Sequence, residues 1–146
     1  MITAGDTDRL RVTVADYMDS ARYSHTLGVE REVRRMGEMY LPNDVEALAA
    51  AALLHDITRT QSAEKQLQYL EEFGIIKDDF ENSPVELLHA VTAVGLIRRD
   101  FPEFADERIL SAVRWHTTGR HGITVFETIL FLADYTEDTR TYTDCV

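Results

Sequence analysis

The sequence predicts an all-α domain of about seven helices. Apolar residues recur at three- and four-residue intervals almost throughout, which is the helical period. No Asn-Gly or Asp-Gly dipeptide joins alternating runs as a hairpin would require. Capping signals of the Ser/Thr-x-x-Glu kind stand before apolar stretches. At 146 residues, 45% hydrophobic and 28% charged, with only 7 Gly and 3 Pro, the chain suits one hydrophobic core, so residues 1–146 are read as a single domain.

A first helix is expected from Thr7 to about Asp19, with Leu10, Val14 and Tyr17 or Met18 facing inward. A second runs from about Arg22 to Tyr40 on the stripe His25, Val29, Val33, Met36, Tyr40, and Pro42 stops it. The third starts from Asn43 or Asp44 as N-cap and continues through Leu48, Ala52 and Leu53 to His55 and Asp56; its alanines permit close helix approach. The fourth, from about Ser62 to Phe73, has a polar outer face and ends at Gly74, which suits the left-handed position after a helix. Ser83-Pro84-Val85-Glu86 marks the fifth start with an N-cap, a proline at N1 and a glutamate at N3, and this helix should reach about Asp100. The sixth spans about Asp106 to Thr117, and Thr124-Val125-Phe126-Glu127 opens the seventh with a second capping box.

Charge and cysteine content narrow the function. Fifteen Lys+Arg against 26 Asp+Glu give a formal net charge of −11, so a nucleic-acid polymer would be repelled by the average surface field. A small phosphorylated ligand is still accommodated, because a local Arg or metal cluster reverses the field inside a cleft. The one cysteine, Cys145, allows neither an internal disulfide nor a thiolate metal site. No signal-peptide stretch and no uncharged run long enough to span a bilayer is present, so no membrane partner is expected and the expected location is cytoplasmic.

Six ionisable residues interrupt the apolar stripes. His25 opens the stripe of the second helix; His55 closes Leu48, Ala52, and Asp56 closes Ala49, Leu53. His89 lies four residues from both Val85 and Ala93, His116 closes Ile109, Val113, and Asp134 follows Phe126 and Leu130. Burying such groups without partners costs several kcal/mol in round terms. Each alone also reads as a hydrogen-bonded core residue, and Asp134 as half of a salt bridge; six together point to a divalent metal centre, since imidazole and carboxylate suit first-row metals. Six ligands exceed the four of one tetrahedral centre.

The strings carrying these residues resemble a known family. His25, then His55-Asp56 thirty residues on, then Asp134 resemble the H…HD…D signature of HD-domain metal-dependent phosphohydrolases. Arg22-Tyr23-Ser24-His25-Thr26-Leu27-Gly28-Val29, Leu53-Leu54-His55-Asp56-Ile57-Thr58-Arg59, Leu87-Leu88-His89, His116-Thr117-Thr118-Gly119-Arg120 and Ala133-Asp134-Tyr135 resemble the bacterial symmetrical bis(5′-nucleosyl)-tetraphosphatase branch. That resemblance implies an HD helical bundle and cleavage of diadenosine tetraphosphate into two ADP by attack of a metal-bound hydroxide. It implies His25, His55, Asp56 and Asp134 around one metal, with Asp56 bridging to a second held by His89 and His116. Iron is the implied metal, with Mn²⁺ or Mg²⁺ as alternatives. Asp56 and Arg120 are the expected catalytic residues, with Arg22, Arg59, Thr117, Thr118, Gly119, Arg120 and Arg140 about the phosphates. Arg140 ends Glu137-Asp138-Thr139-Arg140, where the family usually has a Glu-Pro-Gly-Arg-like turn, and the C-terminal helices usual beyond Ala133-Asp134-Tyr135 are expected to be absent.

Other readings stay open. Gly119 also reads as a helix stop and Arg120 as a solvated charge. Trp115 and Tyr23 are candidates for stacking on a base, although Trp115 also suits core packing; His121 reads as a loop residue. Another HD phosphohydrolase acting on nucleotides, a non-catalytic metal- and nucleotide-binding sensor and, more remotely, a di-iron oxygenase are the rival functions. A homodimer is left open.

Overall fold

The computed structural model describes residues 1–75 and 85–137. Among them are seven α-helices and no strand: α1 (Ala4–Val14), α2 (Ser20–Tyr40), α3 (Val45–Leu54), α4 (Ala63–Glu72), α5 (Val85–Asp100), α6 (Glu107–Trp115) and α7 (Val125–Thr136). The all-α expectation is met. Ser83, Pro84 and Arg140 lie outside the described residues, and with them the expected start of the fifth helix.

The core is built around α3, in which every residue except Glu46 is buried. Its run of four alanines, Ala49 to Ala52, has no side chain long enough to hold neighbours away, so α1, α2, α6 and α7 all pack on it. Gly37 of α2 marks a close approach to α3: a Cβ there would lie 2.9 Å from Leu48 Cδ1 and 3.3 Å from Val45 Cγ2. On the other side α5 bridges α6 and α4. A smaller cluster of Leu70, Leu88 and Val91 seals α4 against α5.

Several helix ends differ from the sequence expectation, each for a local reason. α1 begins at Ala4 rather than Thr7, because Thr3 and Asp6 form a reciprocal capping box. It stops at Val14 rather than near Asp19, and Asp19 instead caps α2 by accepting from the Arg22 backbone N–H at 2.8 Å. Asp44 precedes α3 but does not cap it, since its carboxylate takes Arg108 at 2.7 Å. Tyr40, expected on the inner stripe, stands at the end of α2 with 62% exposure. α4 ends as expected: Gly74 has φ +70°, and the Ile75 N–H reaches back to the Leu70 carbonyl at 2.8 Å.

Two polar networks, one half-buried and one buried, fix helices against one another. Arg11 forks onto Glu30 at 2.8 and 2.6 Å, Arg34 joins Glu30 to Glu46, and the Thr7 hydroxyl donates to Glu46, which locks α1, α2 and α3 together. Thr58 Oγ1 lies 2.9 Å from both the His89 carbonyl and the Thr92 hydroxyl. Thr92 donates to Gln66 Oε1, and Gln66 Nε2 donates to the Thr58 carbonyl at 2.6 Å. The turn after α3 is thereby tied to α4 and α5.

The packing predicts opposite failures at two α3 positions. Leu48→Ala should leave a cavity and destabilise by about 2–5 kcal/mol, whereas Ala51→Leu should overpack and destabilise by about 1–3 kcal/mol. Urea unfolding should show lower midpoints with unchanged slopes in both; an unaffected midpoint in Ala51→Leu would mean that α3 is not enclosed on all sides.

Candidate metal centre

Six side chains from five parts of the chain meet on one side of α3. His25 comes from α2, His89 from α5 and Asp134 from α7, all within helices. His55-Asp56 and His116 stand just past the ends of α3 and α6, so the expected extension of α3 to Asp56 and of α6 to Thr117 gives way to turns there. The cause is the same at both ends. The last carbonyls of a helix lack the usual partner four residues on, and each histidine ring approaches one: His55 Nδ1 is 2.5 Å from the Ala52 carbonyl, and His116 Nδ1 is 2.5 Å from the Val113 carbonyl, which also accepts the His116 backbone N–H at 3.4 Å. Donating Nδ1–H to a carbonyl leaves Nε2 with its lone pair aimed inward.

Asp56 lies at the meeting point, and its two oxygens face different groups. Oδ2 is 3.2 Å from His55 Nε2, 3.8 Å from His25 Nε2 and 3.0 Å from the Arg22 guanidinium. Oδ1 is 3.2 Å from His89 Nε2 and 3.5 Å from His116 Nε2. Asp134 Oδ1 completes the first side, 2.7 Å from His25 Nε2 and 3.4 Å from His55 Nε2. The result is a quartet of His25, His55, Asp56 and Asp134 and a triad of Asp56, His89 and His116, sharing Asp56; in each, the ligand atoms lie within 4.8 Å of one another.

The donor set fits divalent metal. His55 Nε2 is buried and has no hydrogen-bond partner among the described residues. His89 Nε2 and His116 Nε2 approach to 3.1 Å. Two imidazole nitrogens this close beside a carboxylate share a proton in the metal-free chain or serve together as ligands when a cation lies between them.

The electrostatics of the metal-free chain agree. Burial would raise the Asp56 carboxyl, yet His55 and the other imidazoles hold it well below the usual carboxylate range. Asp134 is likewise lowered against its burial, by His25 and then His55. Burial alone would depress His55, but Asp56 and Asp134 override it and hold the imidazole well above its ordinary value. His89 is lowered, mainly by burial.

A cleft of about 280 Å³ opens on the cluster, lined by Asp56, Arg59, His89, His116, Thr117 and Asp134, with Leu87, Phe131 and Tyr135 as its apolar wall. Arg22 and Arg59 are thus at the centre, as is Thr117. Thr118 is exposed, and its hydroxyl donates to the Gly119 carbonyl. Gly119 has φ +66°, a left-handed turn that suits glycine. Arg120 does not line this cleft: its guanidinium forks onto the buried Glu127 at 2.9 and 2.5 Å. Glu127 was expected to complete the α7 capping box, but Thr124 caps one way only, and the glutamate takes Arg120 and the Ser111 hydroxyl instead. Tyr23 donates its hydroxyl to the Arg11 carbonyl and packs on the core rather than facing the cleft. Trp115 is half-buried between the guanidinium groups of Arg114 and Arg120, and His121 is exposed in the loop before α7.

Sequence reasoning passed over Glu137, which is buried with Oε1 2.6 Å from His25 Nδ1. The available signal was an acid one helical turn beyond Asp134 and a glycine, Gly28, one turn beyond His25.

A bundle of this topology with paired His and Asp groups around a shared carboxylate defines a class, and comparison with known proteins gives the same one. Residues 22–138 match the HD domain, and the chain belongs to the HD domain family, a family of metal-binding hydrolases. Within it, the chain is 31% identical over 129 residues to the symmetrical bis(5′-nucleosyl)-tetraphosphatase of Bacillus subtilis, a match covering 88% of this chain and 68% of that protein. It is 30% identical over 120 residues to the protein of the same name from Staphylococcus aureus, covering 82% of this chain but only 60% of the relative. The crystal structure of a predicted HD superfamily hydrolase involved in NAD metabolism from Clostridium acetobutylicum superposes with a TM-score of 0.78 at 29% identity, over 92% of this chain and 70% of that one. No helix among the described residues is long and apolar enough to cross a membrane.

The lowered carboxyls and the raised imidazole set the pH response of the metal-free chain. Stability from Asp56 and Asp134 is present above the ordinary carboxylate value of about 3.9 and is lost as pH falls through their depressed values. Stability from His55 is present below the ordinary value of about 6.5 and is lost as pH rises through its raised value. With chelator present, the melting temperature should therefore fall as pH rises above the ordinary histidine value of about 6.5, and saturating Mn²⁺ should remove that alkaline fall by taking the place of the imidazolium proton. A flat profile in chelator would contradict the pairing of His55 with the two carboxylates.

Proposed function

We propose that the chain is a metal-dependent hydrolase that splits diadenosine tetraphosphate symmetrically into two ADP. The observation that carries this reading is Asp56, whose two oxygens face two separate His/Asp groups on the floor of a cleft. The relatives named above support the choice of substrate. The centre holds two divalent ions, iron first among them, with Mn²⁺ and Mg²⁺ as alternatives. His25, His55, Asp56 and Asp134 hold one, and Asp56, His89 and His116 the other. Such a pair, when bound, supplies a water acidified toward neutrality and positive charge against the phosphoryl oxygens.

The residues of the chain do the rest. Asp56 sets the separation of the two groups. Arg22 is held at the centre by its contact with Asp56, and Arg59 lines the cleft, so two guanidinium groups are available for phosphate oxygens on a surface of net charge −11. Thr117, which also lines the cleft, offers a hydroxyl donor to a phosphate oxygen. Arg120 reaches a phosphate only by leaving Glu127, so its contribution belongs to the bound state. At about 280 Å³ the described cleft is smaller than sites that enclose whole drug-sized ligands, so it receives the reacting phosphates while the nucleosides extend beyond it. Water adds to a phosphorus beside the midpoint of the tetraphosphate, the P–O bond at the midpoint breaks, and each half leaves as ADP.

A second reading follows from the Clostridium structure, whose title places that protein in NAD metabolism: hydrolysis of another nucleotide by the same centre. Product analysis separates the two. Purified protein with defined metal content should yield ADP as the sole nucleotide product of diadenosine tetraphosphate, with oxygen-18 from solvent water in the ADP. AMP plus ATP would reject symmetrical cleavage, and turnover confined to other nucleotides in a panel would favour the second reading.

The shared carboxylate also predicts the metal count. Elemental analysis should find about one ion fewer per chain in His89→Ala than in the unmodified protein, because the triad loses a ligand while the quartet keeps all four. Equal contents below about one per chain in both proteins would leave a mononuclear site.

A further inference from the structure

We infer that Glu137 is a positioning residue for the metal ligand His25, and that Gly28 is the gap in α2 that admits it; this rests on the reading of the cluster as a metal centre. Glu137 follows the last turn of α7, where the backbone leaves the helix at φ −60°, ψ 146°. Its side chain is fully buried, which a carboxylate tolerates only with strong partners. Oε1 lies 2.6 Å from His25 Nδ1, on the edge of the ring away from the cluster. Oε2 lies over the backbone of α2: a Cβ on Gly28 would come within 2.5 Å of Oε2 and 3.3 Å of the carboxyl carbon. A side chain at position 28 would force Oε2 to shift from where it lies. Helix interiors disfavour glycine, so its place in the middle of α2 is explained by the space it leaves.

The three histidines whose Nδ1 partners are described are anchored in two ways. His55 and His116 bond to the neutral carbonyls of Ala52 and Val113, whereas His25 faces a carboxylate. Accepting the Nδ1–H fixes the tautomer that leaves the Nε2 lone pair free for a metal, holds the ring in place, and sets a negative charge behind it that attracts a cation on the other edge. The effect falls on one side of the centre only. The quartet has two carboxylates of its own and a third behind His25, while the triad has Asp56 alone. Glu137 therefore strengthens the quartet, making it the tighter of the two positions.

The test is a Mn²⁺ titration of metal-free protein followed by EPR, comparing the unmodified chain with Glu137→Gln and Glu137→Ala. The unmodified chain should bind in two steps. Glu137→Ala should weaken the tighter step by roughly 10- to 100-fold and leave the weaker one unchanged. Glu137→Gln keeps an acceptor oxygen without the charge, so it should fall between the two. Equal affinities in all three proteins, or parallel weakening of both steps, would overturn the assignment while leaving the metal centre intact. Absence of Mn²⁺ binding by the unmodified chain would instead remove the metal reading on which it rests. If the variants fail to fold, long-range ¹H–¹⁵N spectra of the unmodified protein loaded with Zn²⁺ decide the matter. They should show His25 protonated at Nδ1 and metallated at Nε2, and the opposite arrangement would refute the proposal.

Discussion

A carboxylate with 4% of its side chain exposed must be neutralised by what surrounds it, and around Asp56 the chain gathers four imidazoles and one guanidinium. Histidine desolvated at this depth loses its charge, and a lone carboxylate would take up a proton. Together they lower the carboxyls and raise one imidazole, so the charges of the cluster are balanced by one another on the floor of the cleft. The helices can therefore be read as a frame that brings six polar side chains together from distant parts of the chain.

The frame does this with ordinary means. The two histidines at helix ends use carbonyls that lack the usual partner four residues on, which turns the termination of α3 and α6 into the aiming of His55 and His116. The turn that follows His55-Asp56 is held by the Thr58, Gln66 and Thr92 network, which also takes the carbonyl of His89, so ligands of both groups share one set of hydrogen bonds. On the far side of α2 the Arg11, Glu30, Arg34 and Glu46 clamp fixes the helix that carries His25. The first of these networks is buried and the second half-buried, and each pairs its polar groups internally.

How much was legible in the sequence depends on how local each cause is. The helices and the inward position of the six His and Asp residues follow from periodicity, which neighbouring residues record. The family followed from strings that surround those residues. The capping box at Thr124 was half right, because a glutamate in that place has two uses and only the fold brings Arg120 and Ser111 to it. That same contact moves Arg120 off the cleft where its string had placed it. Glu137 meets His25 across 112 positions, and no local pattern reports a contact of that span. Helix ends shifted by a few residues wherever a side chain such as Asp19 or His55 found a better partner than the continuing helix.

The order in which the six side chains occur along the chain sets the order in which the cluster can close during synthesis. Domains generally fold as units, N-terminal parts first. Once α6 has formed, Asp56, His89 and His116 are all present, whereas the other group waits for Asp134, 109 positions beyond His25. A nascent chain that ends before α7 thus holds the triad complete and the quartet open. Addition of α7 supplies Asp134, so a closed quartet reports that α7 has docked against α2.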